Sequence, residues 1–191
     1  MLSNFSNAIC LLARKRWTAG TFRTILNGAS KEVSHEKTPG RYLDPGRRVR
    51  ALDTESEHLL ISRDGVLLQN IQIVRHNIKD PLKHTKKKLA KDMLPQEAAE
   101  VLLDNVASNP GSTDFRVLEN SPVPIGGLPG FKATYTYRNR DGLKCKSVCC
   151  GVLAGETFFA ITYNATERYY FDKDIETFWK IVQSFAFVKA V

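Results

Sequence analysis

The chain has few of the residues that build disulfide-held or metal-held folds. It contains four cysteines and four histidines in 191 residues, and their spacing matches no disulfide framework or metal-ligand pattern. The apolar run at residues 8–13 is too short to span a bilayer. No acidic residue appears before Glu32. With 42% hydrophobic residues, the chain is long enough for one apolar core of ordinary size, and we expect one domain preceded by a tail.

The cysteines are best explained as small apolar residues of a strand. Cys145 and Cys149 share one face of a predicted strand, about 13 Å apart, which is too far for a bridge. Cys149 and Cys150 point to opposite faces. An alternative is a thiol-dependent enzyme that uses Cys149 or Cys150, with His76 or His84 as a partner. No motif connects this strand with the remaining cysteine and histidines, which are Cys10, His35 and His58.

Residues 1–50 have the composition of a leader and linker. Basic residues follow the apolar run at 8–13, which is the wrong order for a secretory signal peptide. The residues before Cys10 lack the small residue that precedes a lipidated cysteine. An organellar transit peptide, an unstructured tail and a start codon assigned too early all remain open. The basic residues among the first 30 are Arg14, Lys15, Arg16 and Arg23.

The stretch 131–163 predicts three consecutive antiparallel strands. Apolar and polar residues alternate from 131 to 138, as in a half-buried strand. Asp141-Gly142 provides a tight turn, a second strand runs from 143 to about 152, and a third covers 157–163. The doublet Phe158-Phe159 places one ring on each side of the sheet. Both faces therefore require cover by helices.

Further elements are predicted on either side of these strands, in a domain that begins near residue 57 and ends at residue 188. Period-two patterns indicate a hairpin before them, with a turn at Arg63-Asp64-Gly65. The stretch 122–130 is rich in turn residues. The additional predicted strands are 58–62, 66–75, 115–120 and a closing strand at 185–188.

Helical periodicity appears in three places. From residue 82 to residue 93 an apolar sector opposes a lysine-rich one, and Pro95 begins a second helix whose alanines and leucines face inward. Asp172 or Asp174 is placed to cap the last helix, which has Phe178 and Trp179 on its apolar side. The first helix carries a candidate basic docking face of Lys83, Lys87, Lys88 and Lys91.

The net charge of +8 favours anionic partners and equally fits a solvated surface of ordinary solubility. Basic residues are not interleaved with stacking aromatic residues, which disfavours nucleic acid as a partner. Four lysines near acidic lipid would support weak attachment to a membrane surface.

Residues 57–188 resemble the PsbP-like fold and, more specifically, an uncharacterised group of bacterial envelope proteins, often lipoproteins. The similarity is carried by SRDGVLLQNIQI (62–73), MLPQEAAEVLLDN (93–105), VLENSPVPIGGLPGFKATYTYRNRDGL (117–143) and RYYFDKDIETFWKIVQSF (168–185). It implies an α+β fold, an antiparallel β-sheet of about six strands covered by helices. It also implies action by binding a partner, and offers no catalytic residues.

We therefore expect a non-enzymatic, envelope-associated binding domain for an unknown protein or small-molecule partner. The sequence predicts no catalytic, cofactor-binding or metal-ligating residues and no cofactor. The two alternatives are the thiol-dependent enzyme and a basic surface module that attaches to anionic lipid or nucleic acid.

Overall fold

The computed structural model describes residues 50–54 and 58–187, with side chains from residue 59 onward. The predicted leader, including Cys10, lies outside the described residues. The helices are α1, Pro95–Ala107, and α2, Tyr170–Ser184. The strands are β1, Arg50–Thr54; β2, His58–Ser62; β3, Gln69–Asn77; β4, Thr113–Ile125; β5, Leu128–Arg138; β6, Lys144–Ala154; and β7, Thr157–Thr166.

The strands form one sheet in the order β1-β2-β3-β7-β6-β5-β4, and all neighbours are antiparallel. The predicted class, an antiparallel sheet covered by helices, is confirmed. The sheet has seven strands because β1 pairs with β2 from Arg50 opposite Ser62 to Thr54 opposite His58. This strand precedes the predicted domain start at residue 57.

The two helices cover opposite faces of the sheet, as the alternation of side chains requires. Phe158 belongs to the apolar cluster beneath α1, and Phe159 belongs to the cluster beneath α2. Cys149 and Cys150 divide between the same two clusters. Helix α1 packs on β4, β5 and β6, while α2 packs mainly on β7. The prediction that both faces carry helical cover is therefore confirmed.

Strand β4 is longer than predicted and runs through much of the turn-rich stretch. Pro122 lies opposite Phe131, and Pro124 lies opposite Pro129. An edge strand tolerates these prolines because N–H groups on its outer side have no ladder partner. The turn is confined to Gly126-Gly127, whose φ angles of 57° and 83° favour glycine.

Strand β3 begins at Gln69, three residues later than predicted. The backbone N–H groups of Leu68 and Gln69 both donate to the carbonyl of Gly65 over 3.0 Å. These bonds extend the turn at the expense of the strand. Val66 and Leu67 are consequently exposed, at 41% and 69%.

The lysine-faced helix predicted from residue 82 is wrong, because residues 82–94 contain neither helix nor strand. We call residues 82–94 the lysine segment. The hydroxyl of Thr85 donates to the carboxylate of Asp104 on α1. The backbone N–H of His84 donates to Oδ1 of Asn105 over 2.8 Å. These contacts hold the segment along α1 in an irregular conformation.

Repulsion between lysines and the short length of the segment also disfavour that helix. Lys83, Lys87 and Lys91 would stand four residues apart, where like charges repel by a few tenths of a kcal/mol per pair. A single helix of about 12 residues is marginal in water without tertiary packing. The contacts with α1 therefore outweigh a weak helical preference.

The end of the domain differs from prediction in two respects. Helix α2 begins at Tyr170 without a side-chain cap, so neither Asp172 nor Asp174 caps it. Asp174 instead lies inside the helix and is 2% exposed. Within the described residues, the predicted closing strand is reduced to a single bridge at Phe187.

Candidate functional site

A row of directly opposed residues crosses four strands on the α1 face of the sheet. Asn70 on β3 pairs with Asn164 on β7, which pairs with Ser147 on β6, which pairs with Tyr135 on β5. The next row contains Gln72 and Thr162. We call Asn70, Gln72, Ser147, Thr162 and Asn164 the polar shelf.

Hydrogen bonds link the side chains of the polar shelf except that of Thr162, whose hydroxyl donates to Sγ of Cys149 over 3.2 Å. Nδ2 of Asn164 donates to Oδ1 of Asn70 over 3.1 Å, and Oγ of Ser147 donates to Oδ1 of Asn164 over 2.7 Å. Nε2 of Gln72 donates to the same Oδ1 of Asn70 over 3.2 Å. The carboxamide orientations are therefore fixed before any ligand arrives.

The polar shelf remains open because the apolar layer beneath α1 ends beside it. That layer reaches Cys149 on β6 and Ala160 on β7, and on β5 it continues past Ala133 to Tyr135. Beyond Cys149 and Ala160, β6 and β7 carry Ser147, Thr162 and Asn164 toward the same face. All of the shelf except Ser147, which is fully buried, is half-buried.

A cleft of about 160 Å³ lies at the open end of the polar shelf. Asn70 and Asn164 form part of its wall, and the exposed Val66 and Leu67 contribute apolar surface. The hairpin between β5 and β6 contributes the opposite side. The remaining lining residues are Tyr137, Asn139, Cys145 and Ala165.

Two titratable groups in the cleft are neutral. Burial raises the pKa of Tyr137 to about 12, so its hydroxyl remains a hydrogen-bond donor. Burial also raises the pKa of the Cys145 thiol. This thiol donates to the carbonyl of Leu143 over 3.6 Å. The cleft therefore presents amide, hydroxyl, thiol and aliphatic groups.

The two candidate thiols of the enzyme hypothesis lie inside the protein. Cys149 is 0% exposed and Cys150 is 1% exposed. Burial raises the pKa of each thiol to about 12. His76 contacts the carbonyl of Asp80 through Nε2 over 3.0 Å. These thiols lack the thiolate character that a nucleophile requires.

The four lysines of the predicted docking face are all exposed on the lysine segment. Lys87 forms an ion pair with Asp104 over 3.1 Å, which turns it toward α1. The cleft lining contains none of these lysines. The basic surface and the cleft are thus separate candidate sites.

Sequence reasoning missed the residues of the polar shelf. A signal was present, because asparagine is depleted from strands, yet Asn70 lies within one predicted strand and Asn164 directly follows another. Their proximity depends on the register of β3 with β7, which joins residues 94 positions apart. That register is not evident from the sequence of either strand alone.

Two features, a metal-binding cluster and a membrane-spanning helix, are absent from the part of the chain that the structure describes. Among residues 59–187, whose side chains the structure describes, no group of three or more His, Cys, Asp or Glu side chains is arranged to hold a metal ion. Within the same residues, no helix has the length and apolar character needed to cross a membrane.

The chain has a PsbP-like α+β fold, as its similarity to a solved structure shows. The solution structure of cyanobacterial PsbP (CyanoP) from Synechocystis sp. PCC 6803 is similar with a TM-score of 0.53 and 11% identity, covering 84% of this chain and 100% of that one. LpqN, a Mycobacterium tuberculosis protein involved in cell envelope biogenesis, has a TM-score of 0.48 and 14% identity, covering 82% of this chain and 89% of that one. No protein-family model and no curated protein sequence matches the chain.

Proposed function

We propose that the protein is a non-enzymatic binding domain whose ligand site is the cleft beside the polar shelf. The observation that carries this proposal is the hydrogen-bonded pair Asn70 and Asn164 next to exposed Val66 and Leu67. Fixed polar groups beside apolar surface are the usual composition of a ligand pocket. Preorganised carboxamides also reduce the entropy lost on binding.

The lining favours an uncharged ligand. The residues around the cleft include no Asp, Glu, Lys or Arg, so a charged group would lose hydration without gaining a counter-ion. Carboxamides offer both donors and acceptors, which match an amide group of the ligand. A cavity of about 150 Å³ holds benzene, so the buried part of the ligand has about six to ten heavy atoms.

The alternative thiol-enzyme function is disfavoured by the chemistry of the cysteines. At neutral pH, thiols with a pKa of about 12 are almost entirely protonated. Their burial also prevents a substrate from reaching them. A role as packed apolar side chains accounts for Cys149 and Cys150 without further assumptions.

The cell envelope is the proposed location of this binding function. Its support is the resemblance of residues 57–188 to bacterial envelope proteins. The ligand site itself is argued from the cleft alone, so the two parts of the proposal stand separately.

The cleft is tested with small probes of different charge, of which acetamide and acetate have the same size. Acetamide and N-methylacetamide represent neutral amides, while acetate and methylammonium represent charged groups. We expect the neutral probes to shift the side-chain amide NMR signals of Asn70 and Asn164, with dissociation constants of about millimolar for ligands this small.

The matched variants are Asn164→Asp in the cleft and Asn77→Asp at the exposed end of β3. Asn164→Asp removes the Nδ2 donor that binds Asn70, and we expect it to abolish the shift of the Asn70 signal, the amide signal that remains in this variant. Asn77→Asp makes the same chemical change outside the cleft and should leave them intact. Equal shifts with acetate, or shifts that occur only elsewhere, would contradict the proposal.

A further inference from the structure

We propose that the lysine segment docks the domain on an anionic lipid surface. This inference is independent of the cleft, because it concerns a separate surface and a different class of partner. It depends on three observations: the segment is held in place, its lysines point outward, and an exposed leucine lies at its end.

Contacts on the inner side hold the lysine segment against the domain. Leu89 is 6% exposed within the apolar cluster beneath α1. Leu82 and Met93 pack on the same cluster. Together with the bonds of His84 and Thr85 to α1, these anchors fix the path of the chain. The backbone of the lysine segment is therefore held in position before the domain contacts a lipid surface.

The outward side presents four unpaired cations. Lys83, Lys86, Lys88 and Lys91 are exposed and form no ion pair within the part of the chain that the structure describes. Lys87 is the exception, since Asp104 neutralises it.

Acidic groups at the border of the segment neutralise only part of this charge. Glu156 is bound by Lys79 over 2.7 Å. That hydrogen bond is the main cause that lowers the pKa of Glu156, and the charge of Lys91 adds to the effect. Asp92 is exposed next to Lys91. The middle of the segment, from Lys83 to Lys88, contains no acidic residue and carries the highest charge density.

The cations lie close enough to act together. Eight residue steps separate Lys83 from Lys91, which is at most about 30 Å of extended chain. The Debye length is about 30 Å at 0.01 M salt and about 8 Å at 0.15 M. Attraction to an anionic surface should therefore be strong at low salt and largely screened at physiological salt.

Lipid fits the segment better than nucleic acid does. Single-stranded nucleic acid is held by aromatic side chains that stack on bases, and residues 82–94 contain no Phe, Tyr or Trp. Leu94, at the end of the segment, is 63% exposed. Its backbone N–H donates to Oε2 of Glu97 over 2.9 Å. An exposed leucine three residues after Lys91 matches a membrane interface, where apolar side chains enter below the charged headgroups.

The test measures binding of the full chain to phosphatidylcholine vesicles with and without phosphatidylserine, at about 0.01 M and about 0.15 M salt. We expect binding only with phosphatidylserine, strongest at low salt. Each lysine near the surface contributes about fivefold, so the fourfold variant K83E/K86E/K88E/K91E should bind several hundredfold more weakly.

A control variant carries the same change in net charge on other surfaces. Arg116, Arg140, Arg168 and Lys180 are exposed, and their replacement by Glu should reduce binding far less. Thermal unfolding of both variants verifies that they are folded. Equal losses in the two variants, persistent binding of K83E/K86E/K88E/K91E, binding to neutral vesicles, or no binding at low salt would each overturn the proposal. Tighter, segment-dependent binding to single-stranded DNA would assign the surface to nucleic acid instead.

Discussion

The guanidinium of Arg63 lies 2.6 Å from the carboxylate of Asp174, joining the turn of the first hairpin to the last helix. The same carboxylate accepts a hydrogen bond of 2.5 Å from Nε2 of Gln69, which is fully buried. A buried carboxylate is tolerated only when its oxygens are paired. The contact therefore explains why Asp174 lies within α2 and does not cap it.

We predict that Asp174→Ala destabilises the domain by about 2–4 kcal/mol, because it leaves Gln69 buried without its acceptor. Chemical denaturation measures the loss. The matched change Glu176→Ala removes an exposed carboxylate from the same helix and should cost about 0.5 kcal/mol or less. Similar losses for both variants would show that the pair has no special role.

The carboxyl group of Asp174 should also make the stability of the folded domain depend on pH. Burial raises the pKa of Asp174 above its ordinary value, while the charge of Arg63 opposes the shift. With the pKa higher in the folded state than in the unfolded state, the folded state binds the proton more tightly. The resulting stabilisation is present at low pH and is lost as the pH rises through the folded pKa.

Comparison with Asp174→Asn isolates this effect from other titrating groups. As the pH falls from about 6 to about 4, the unfolding free energy of the wild type should rise relative to that of the variant. A difference that is constant over this range, or that changes in the opposite direction, would contradict the assignment.

The packing around Gly151 leaves no room for a larger side chain at the centre of the sheet. It lies directly opposite Phe131, and a methyl group added there would meet Cζ of Phe131 at 2.5 Å and Phe158 at 3.0 Å. Gly151→Ala should therefore cost about 1–3 kcal/mol through overpacking. The further change Phe131→Leu should cost less in the Gly151→Ala variant than in the wild type. Additive losses would argue against a steric cause.

The three cysteines of the domain should react slowly with thiol reagents. Burial raises the pKa of Cys149 and Cys150 to about 12 and raises that of Cys145 as well. With Cys10→Ser as the parent protein, labelling at neutral pH should be at least about a hundredfold slower than that of free cysteine. It should become fast in denaturant. Rapid labelling of the folded protein would revive the thiol-enzyme alternative.

Truncations test the start of the domain. We predict that removal of residues 1–49 preserves cooperative unfolding, because β1 and the rest of the sheet are retained. Removal of residues 1–56 deletes β1 and leaves β2 as the edge strand. It should still unfold cooperatively, at a lower midpoint. Loss of cooperativity in the shorter deletion would show that the domain extends before Arg50.

The sequence by itself determined the elements in which local pattern and burial agree. Alternation from Phe131 to Tyr137 required a two-sided strand, and the Phe158-Phe159 doublet required cover on both faces. The helix that begins at Pro95 was likewise evident, because its inward residues recur at helical spacing: Ala98, Ala99, Leu102, Leu103 and Val106. In these segments one physical signal, the period of apolar residues, is enough to specify the structure.

Only the tertiary structure decided the features that depend on distant partners. The lysine segment has a helical pattern, yet its contacts with Asp104 and Asn105 hold it irregular. Asp174 has the sequence position of a helix cap. Its carboxylate is instead buried, where it pairs with Arg63 of a distant turn and accepts a hydrogen bond from Gln69. Asn70 and Asn164 become a site only through strand register. In each case the deciding interaction joins residues far apart in the chain, so no local pattern contains it.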